Sequence, residues 1–128
     1  MSKLIKPTDS ELEILNILWA KGPSTVREVH EVLEKSKDAG YTTTLKLMQI
    51  MHEKKLLDRD AANKTHIYKA AVSQKQTQGQ IIQRLIDAAF NGSASQLVMQ
   101  ALGNHSTSKE ELEQIRLYLE QIEGKKDK

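Results

Sequence analysis

Cysteine is absent from all 128 residues. That excludes disulfides, thiolate metal sites and a cysteine nucleophile together, and it fits a reducing cytosol. Aromatic residues make up only 4%, with one Trp and one Phe, so a core has to be assembled from Leu, Ile, Val, Met and Ala. No apolar run approaches the roughly 18 residues that a membrane-spanning helix requires. The opening stretch, MSKLIKPTDSELE, has no apolar block and turns acidic early, so neither a signal peptide nor membrane insertion is expected, and a cytoplasmic location is. No Ser-His-Asp signature and no glycine-rich phosphate loop occurs. His30, His52, His66 and His105 include no pair at i+3 or i+4, so no metal-ligand cluster is visible. Asp58 and Asp60 flank Arg59, which favours ion pairing or solvation over catalysis. No enzyme, metal or cofactor is expected.

What is present is a globular composition, 38% hydrophobic and 28% charged, at a net charge of +2. The length suits one domain, or a small domain with a helical extension. The charge is unevenly placed. Between Tyr41 and Lys75 stand Lys46, Lys54, Lys55, Arg59, Lys64, Lys69 and Lys75, opposed only by Glu53, Asp58 and Asp60. A basic zone on a near-neutral chain points to a polyanionic partner, although an ordinary solvated surface has the same composition.

Helix signals come first. Thr8-Asp9-Ser10-Glu11 is a capping box ahead of an apolar face of Leu12, Ile14, Leu15, Ile17, Leu18 and Trp19, and Lys21-Gly22-Pro23 stops it. A second box, Thr25 to Glu28, leads Val26, Val29 and Leu33. Glu34 to Gly40 reads as a loop. A third helix is expected from near Thr42, with Thr44, Leu47, Met48 and Met51 buried and Thr42, Lys46, Gln49 and Glu53 on a polar face. Leu57–Asp60 and His66–Ala70 read as two short strands, joined through Asn63 as a β-hairpin.

The composition changes at Ser73. Gln74 to Gln80 is polar, and Gly79 weakens it. Apolar stripes follow: Ile81, Ile82, Leu85, Ile86, Ala89 and Phe90; then, after Asn91-Gly92 and a Ser93 cap, Leu97, Val98, Ala101 and Leu102. Gly103 to Thr107 reads as a loop and Ser108 to Glu111 as a third box. Leu112, Ile115, Leu119 and Ile122 then form a coiled-coil-like seam, and Lys125 to Lys128 a frayed tail. Short amphipathic helices with no sheet cannot bury their stripes alone, whereas two copies can. The fold class is therefore mainly α with a small β-hairpin. Residues 1–72 are expected to form a winged helix-turn-helix and residues 73–128 a helical dimerisation domain. Dimer contacts are assigned to Ile82, Leu85, Ile86, Ala89, Phe90, Leu97, Val98, Leu102, Leu112, Ile115, Leu119 and Ile122.

In a winged helix the third helix enters the major groove and the hairpin touches the backbone. Tyr41, Thr42 and Thr43 place small hydroxyls and free amides where phosphate approaches. Lys46 can donate to guanine and Gln49 can pair with adenine, while Arg59, Lys64 and His66 on the wing can reach phosphates. Thr42 as a simple cap, and Lys46 and Gln49 as a solvated face, are the plainer accounts; the ensemble carries the reading. Its main rival is a winged-helix module whose third helix packs on a protein. Leu45 and Ile50 would favour that rival, unless they touch thymine methyls.

The chain resembles the penicillinase and methicillin-resistance repressor family of bacteria. The resemblance rests on Ser10 to Leu15 with Leu18-Trp19, Thr25 to Val29, Gly40 to Leu45, Leu56-Leu57 with Arg59, and Ile67-Tyr68. In the second half it rests on Phe90 to Ser93, Leu97-Val98 and Ser108 to Leu112. It implies a dimeric repressor of a resistance or stress operon, bound to a palindromic operator in double-stranded DNA. It also implies release by a sensor-controlled protease cutting near Gln100-Ala101, where relatives often carry Asn-Phe. Ile50 stands where such repressors usually have a polar or basic residue, and Lys55 where a turn glycine is common. Copper-responsive relatives carry a C-terminal cysteine cluster, which is missing here.

Overall fold

The computed structural model describes residues 5–62, 64–104 and 106–126, the side chain of Lys126 excepted. The helices α1 (Asp9–Lys21), α2 (Val26–Leu33) and α3 (Tyr41–Glu53) precede strands β1 (Leu57–Asp60) and β2 (Ile67–Ala70). Helices α4 (Gln74–Ala89), α5 (Ala94–Asn104) and α6 (Lys109–Lys126) follow. This is the expected mainly α chain with one antiparallel hairpin, in winged-helix order. The residues group into two compact units divided between Gln83 and Arg84, inside α4.

Local chemistry sets the first two helices. The Thr8 hydroxyl accepts the Glu11 N–H at 3.2 Å and the Glu11 carboxylate accepts the Thr8 N–H at 2.9 Å. The same reciprocal pair joins Thr25 and Glu28 at 3.1 and 2.9 Å. The Thr25 N–H, then its side chain, hold the Glu28 carboxyl below the ordinary carboxylate range. Gly22 ends α1 at φ 91°, a left-handed conformation that side chains other than glycine adopt at a cost.

The first unit closes around Ile14, Leu15 and Leu18 of α1, Val26, Val29 and Leu33 of α2, and Met48 and Met51 of α3, with Leu56, Leu57, Tyr68 and Val72. Tyr68, rather than its neighbour Ile67, is the buried side chain of β2. The strands pair Leu57 with Ala70, Asp58 with Lys69, Arg59 with Tyr68 and Asp60 with Ile67. Ser24 adds a one-residue third strand: its N–H donates to the Tyr68 carbonyl at 2.9 Å and its carbonyl accepts the Tyr68 N–H at 2.8 Å.

Three readings are corrected in the second half. The polar Gln74–Gln80 stretch is helical, so α4 starts at Gln74 rather than at the apolar stripe. The Ser73 hydroxyl caps it, accepting the Gln76 N–H at 3.0 Å, and tertiary contacts hold its first turns. Thr77 is fully buried, and Gln80 Oε1 accepts the Ile5 N–H at 2.6 Å. Gly103 and Asn104 extend α5 instead of starting a loop, and α6 continues through Lys125 and Lys126 instead of fraying. Asn63, His105, Asp127 and Lys128 lie outside the described residues. In the second unit, Ser93 caps α5 through the Gln96 N–H at 3.2 Å, and Ser108 caps α6 through the Glu111 N–H at 3.1 Å. Ile86 is buried, but α5 buries none of its side chains, and Leu85, Val98, Leu112 and Leu119 are exposed.

Candidate nucleic-acid interface

Helix α3 packs inward through Thr44, Met48 and Met51, which leaves Tyr41, Thr42, Thr43, Lys46, Gln49 and Ile50 on its exposed side. Leu47, expected inside, is only half-buried. Together with Thr8 and Ser10 of the α1 entry, Thr42, Thr43, Lys46, Leu47 and Ile50 line an open dish of about 450 Å³. The amino end of α3 differs from those of α1 and α2. Its N-cap is Gly40, with no side-chain hydrogen bond, and no acidic residue sits in its first turn. The other two helices carry capping boxes and acidic first-turn residues. The partial positive charge of this helix end is therefore left unneutralised, as an anion-facing end requires.

Several contacts fix α3 in place. His30 of α2 shares a 3.0 Å hydrogen bond between Nδ1 and Thr44 Oγ1, and its Nε2 lies 3.3 Å from the Glu34 carboxylate. The His30 and Tyr41 rings meet at 5.6 Å, tilted by 56°. At the other end of α3, Lys54 donates to both oxygens of Glu11, at 2.9 and 2.8 Å. Glu11 is 2% exposed, so its carboxylate depends on that ammonium and on the Thr8 amide. Lys55 follows at φ 67°, the left-handed turn position where a glycine was expected to be usual. The His52 and Tyr68 rings stack at 6.5 Å, joining α3 to the wing.

On the wing, Arg59, Lys64 and His66 are all exposed. Lys64 and His66 belong to the loop between the strands. Arg59 lies apart from the α3 dish, beside Asp58, Asp60, Lys69, Pro23 and Ile67 around a second cavity of about 550 Å³. One residue escaped the sequence reading. Arg27 of α2 is exposed, and its guanidinium lies 5.2 Å from the centroid of the Tyr41 ring, poised beside the amino end of α3. The only local signal was a cation on the outer face of α2; its pairing with a tyrosine in the next helix depends on the fold.

Among the described residues no cluster of His, Asp and Glu could hold a metal, and no helix is long and apolar enough to cross a membrane.

The family model for the penicillinase repressor matches residues 7–121, which takes in α1 through most of α6. The chain belongs to the penicillinase repressor family. Members of this family are transcriptional repressors. The chain is similar to the methicillin resistance regulatory protein MecI of Staphylococcus aureus (strain N315), 24% identical over 115 residues, covering 90% of this chain and 94% of that protein. It is also similar to the transcriptional regulator BlaI of Mycobacterium tuberculosis, 35% identical over 69 residues, 53% of this chain and 50% of that one. The penicillinase repressor of Staphylococcus aureus is 19% identical over 124 residues, 97% and 98% of the two chains.

Proposed function

We propose that this penicillinase-repressor family member represses a resistance or stress operon by occupying a palindromic operator as a homodimer in the cytoplasm. The observation that carries this reading is the exposed side of α3. Its amino end has no side-chain cap, and Lys46 and Gln49 face outward one turn further on. Residues 1–72 bind DNA: Tyr41, Thr42 and Thr43 approach phosphate, Lys46 and Gln49 reach base edges, and Arg59, Lys64 and His66 contact the backbone from the wing. Arg27, held against Tyr41, joins the phosphate contacts.

Residues 73–128 make the dimer, and the exposed Ile82, Leu85, Val98, Leu112 and Leu119 support that role. Derepression is assigned to a sensor-controlled protease acting at Gln100-Ala101, which are exposed on α5. A cut there separates α6 from the DNA-binding half.

A protein-docking role for α3 would draw on Ile50, which is 37% exposed, but not on Leu45, which is half-buried against the core rather than exposed. Salt separates the two readings, because phosphate contacts give a steep fall of log K with log salt. Gln49→Ala is expected to cost about 1–3 kcal/mol of discrimination between operator and random duplex. Lys64→Ala should weaken both duplexes alike and lower the salt slope by about 1. Fluorescence anisotropy measures both, and equal affinity of the unaltered chain for the two duplexes overturns the proposal.

A further inference from the structure

We infer that the dish beside Ile50 reads the C5-methyl group of thymine. The inference rests on the DNA-binding proposal and deepens it by naming a base.

Ile50 is not needed by the core, since Thr44, Met48 and Met51 already complete the buried face of α3. It lies instead on the outer side of the helix, 37% exposed, one turn beyond Lys46. With half-buried Leu47 it forms the apolar part of a dish of about 450 Å³, whose remaining lining is the hydroxyl-bearing Thr8, Ser10, Thr42 and Thr43 and the cation Lys46.

The chemistry of that apolar patch narrows what can sit against it. Isoleucine and leucine side chains have no donor or acceptor. In the major groove, purine edges present N7 and O6 or N6, and cytosine presents an amino group. Set against any of these, the Ile50 and Leu47 side chains would strip water from a polar atom and return no hydrogen bond, which is costly. Thymine alone presents an apolar group there. The Lys46 ammonium and the uncapped amino end of α3 supply the charge complementarity that brings a polyanion to this face. Lys46 and Ile50 stand one helical turn apart, about 6 Å along the axis. The thymine read by Ile50 therefore falls within about two base pairs of the base that Lys46 contacts.

The test uses the full chain and a duplex recovered by it from a random pool. Each thymine is replaced in turn by uracil, which keeps base pairing and removes only the methyl group. Anisotropy is expected to show a loss of roughly fourfold per seated methyl at one or two positions. Ile50→Ser should bind the thymine and uracil duplexes equally at those positions, and Ile50→Val should keep the difference. Because the substitution is made in DNA, the central result needs no altered protein. A chain that binds its selected duplex but ignores every uracil overturns the thymine inference and leaves the repressor reading standing. A chain that enriches no duplex overturns both. Uracil sensitivity that survives unchanged in Ile50→Ser overturns the assignment to this dish.

Discussion

Two stretches of this chain have similar helical patterning and opposite outcomes. In the first unit the apolar stripes of α1, α2 and α3 meet one another and the hairpin, and Ile14, Leu15, Val29, Met48 and Met51 have essentially no exposure. In α5 and α6 the stripes are also periodic, yet Val98 is 45% exposed, Leu112 45% and Leu119 53%. Helix α5 is as rich in apolar residues as the helices of the first unit, although α6 is poorer, so hydrophobic content alone does not decide burial; closure does. The first unit has long-range closers: the β1–β2 pair, the Ser24–Tyr68 bridge and the Trp19 indole, which donates to the Val72 carbonyl at 3.0 Å. Short helices without a sheet enclose too little volume to dry their own faces. The lesson is that a periodic stripe specifies a buried face without saying whose surface will bury it.

The sharpest way to break this contrast is Leu119→Asp. A charge in the α6 stripe should abolish association while leaving the first unit folded. Sedimentation velocity at micromolar concentration is expected to shift from dimer to monomer. Operator affinity should fall by roughly a hundred- to ten-thousand-fold as two linked half-sites become separate. A variant that stays dimeric would mean that the α6 stripe is not the closing surface.

Inside the first unit the expected effects are smaller. Lys54→Met leaves the Glu11 carboxylate buried without its cation, and should lower stability by about 1–3 kcal/mol in urea denaturation. Because Lys54 is itself 44% exposed, the loss should stay below that of a fully enclosed ion pair. Lys54→Arg is expected to restore most of it. The smallest effect has the opposite sign. Lys55→Gly relieves the left-handed turn after α3 and should raise stability by about 0.5–1 kcal/mol, once the greater freedom of glycine in the unfolded chain is subtracted. A neutral or destabilising result would mean that the Lys55 side chain has contacts that outweigh the strain.

The features legible in the sequence were those set by neighbours within a few residues. The Thr8 and Thr25 boxes, the Gly22 stop, the hairpin and the polar face of α3 all depend on spacings of two to four. The start of α4 was not legible, because Gln74 to Gln80 has weak periodicity and a glycine. Its first turns are held by Thr77 burial and by the Ile5–Gln80 hydrogen bond, across 75 residues of sequence. The same distance problem hid the Glu11–Lys54 pair, whose members are 43 residues apart, and the seat of Arg27 on Tyr41. Lys55 was a partial success: its departure from a usual glycine marked a turn, and the backbone there has the positive φ that makes glycine usual.

The Ser24–Tyr68 bridge has a consequence in time as well as in space. A hairpin joined to helices only through its own chain ends would sway on the nanosecond-to-microsecond scale of loops. Here β2 exchanges both backbone hydrogen bonds with the turn between α1 and α2, and Tyr68 is sealed into the core at 1% exposure. The root of the hairpin cannot swing without opening the interior, so its amides should exchange with solvent only in rare, near-global openings. The distance from α3 to the base of the hairpin is thereby set in advance, like the jaws of a locked caliper. Under the proposed DNA-binding role, a double helix of the wrong groove width would meet a gauge that does not adjust, and one of the right width would be held with little ordering left to do.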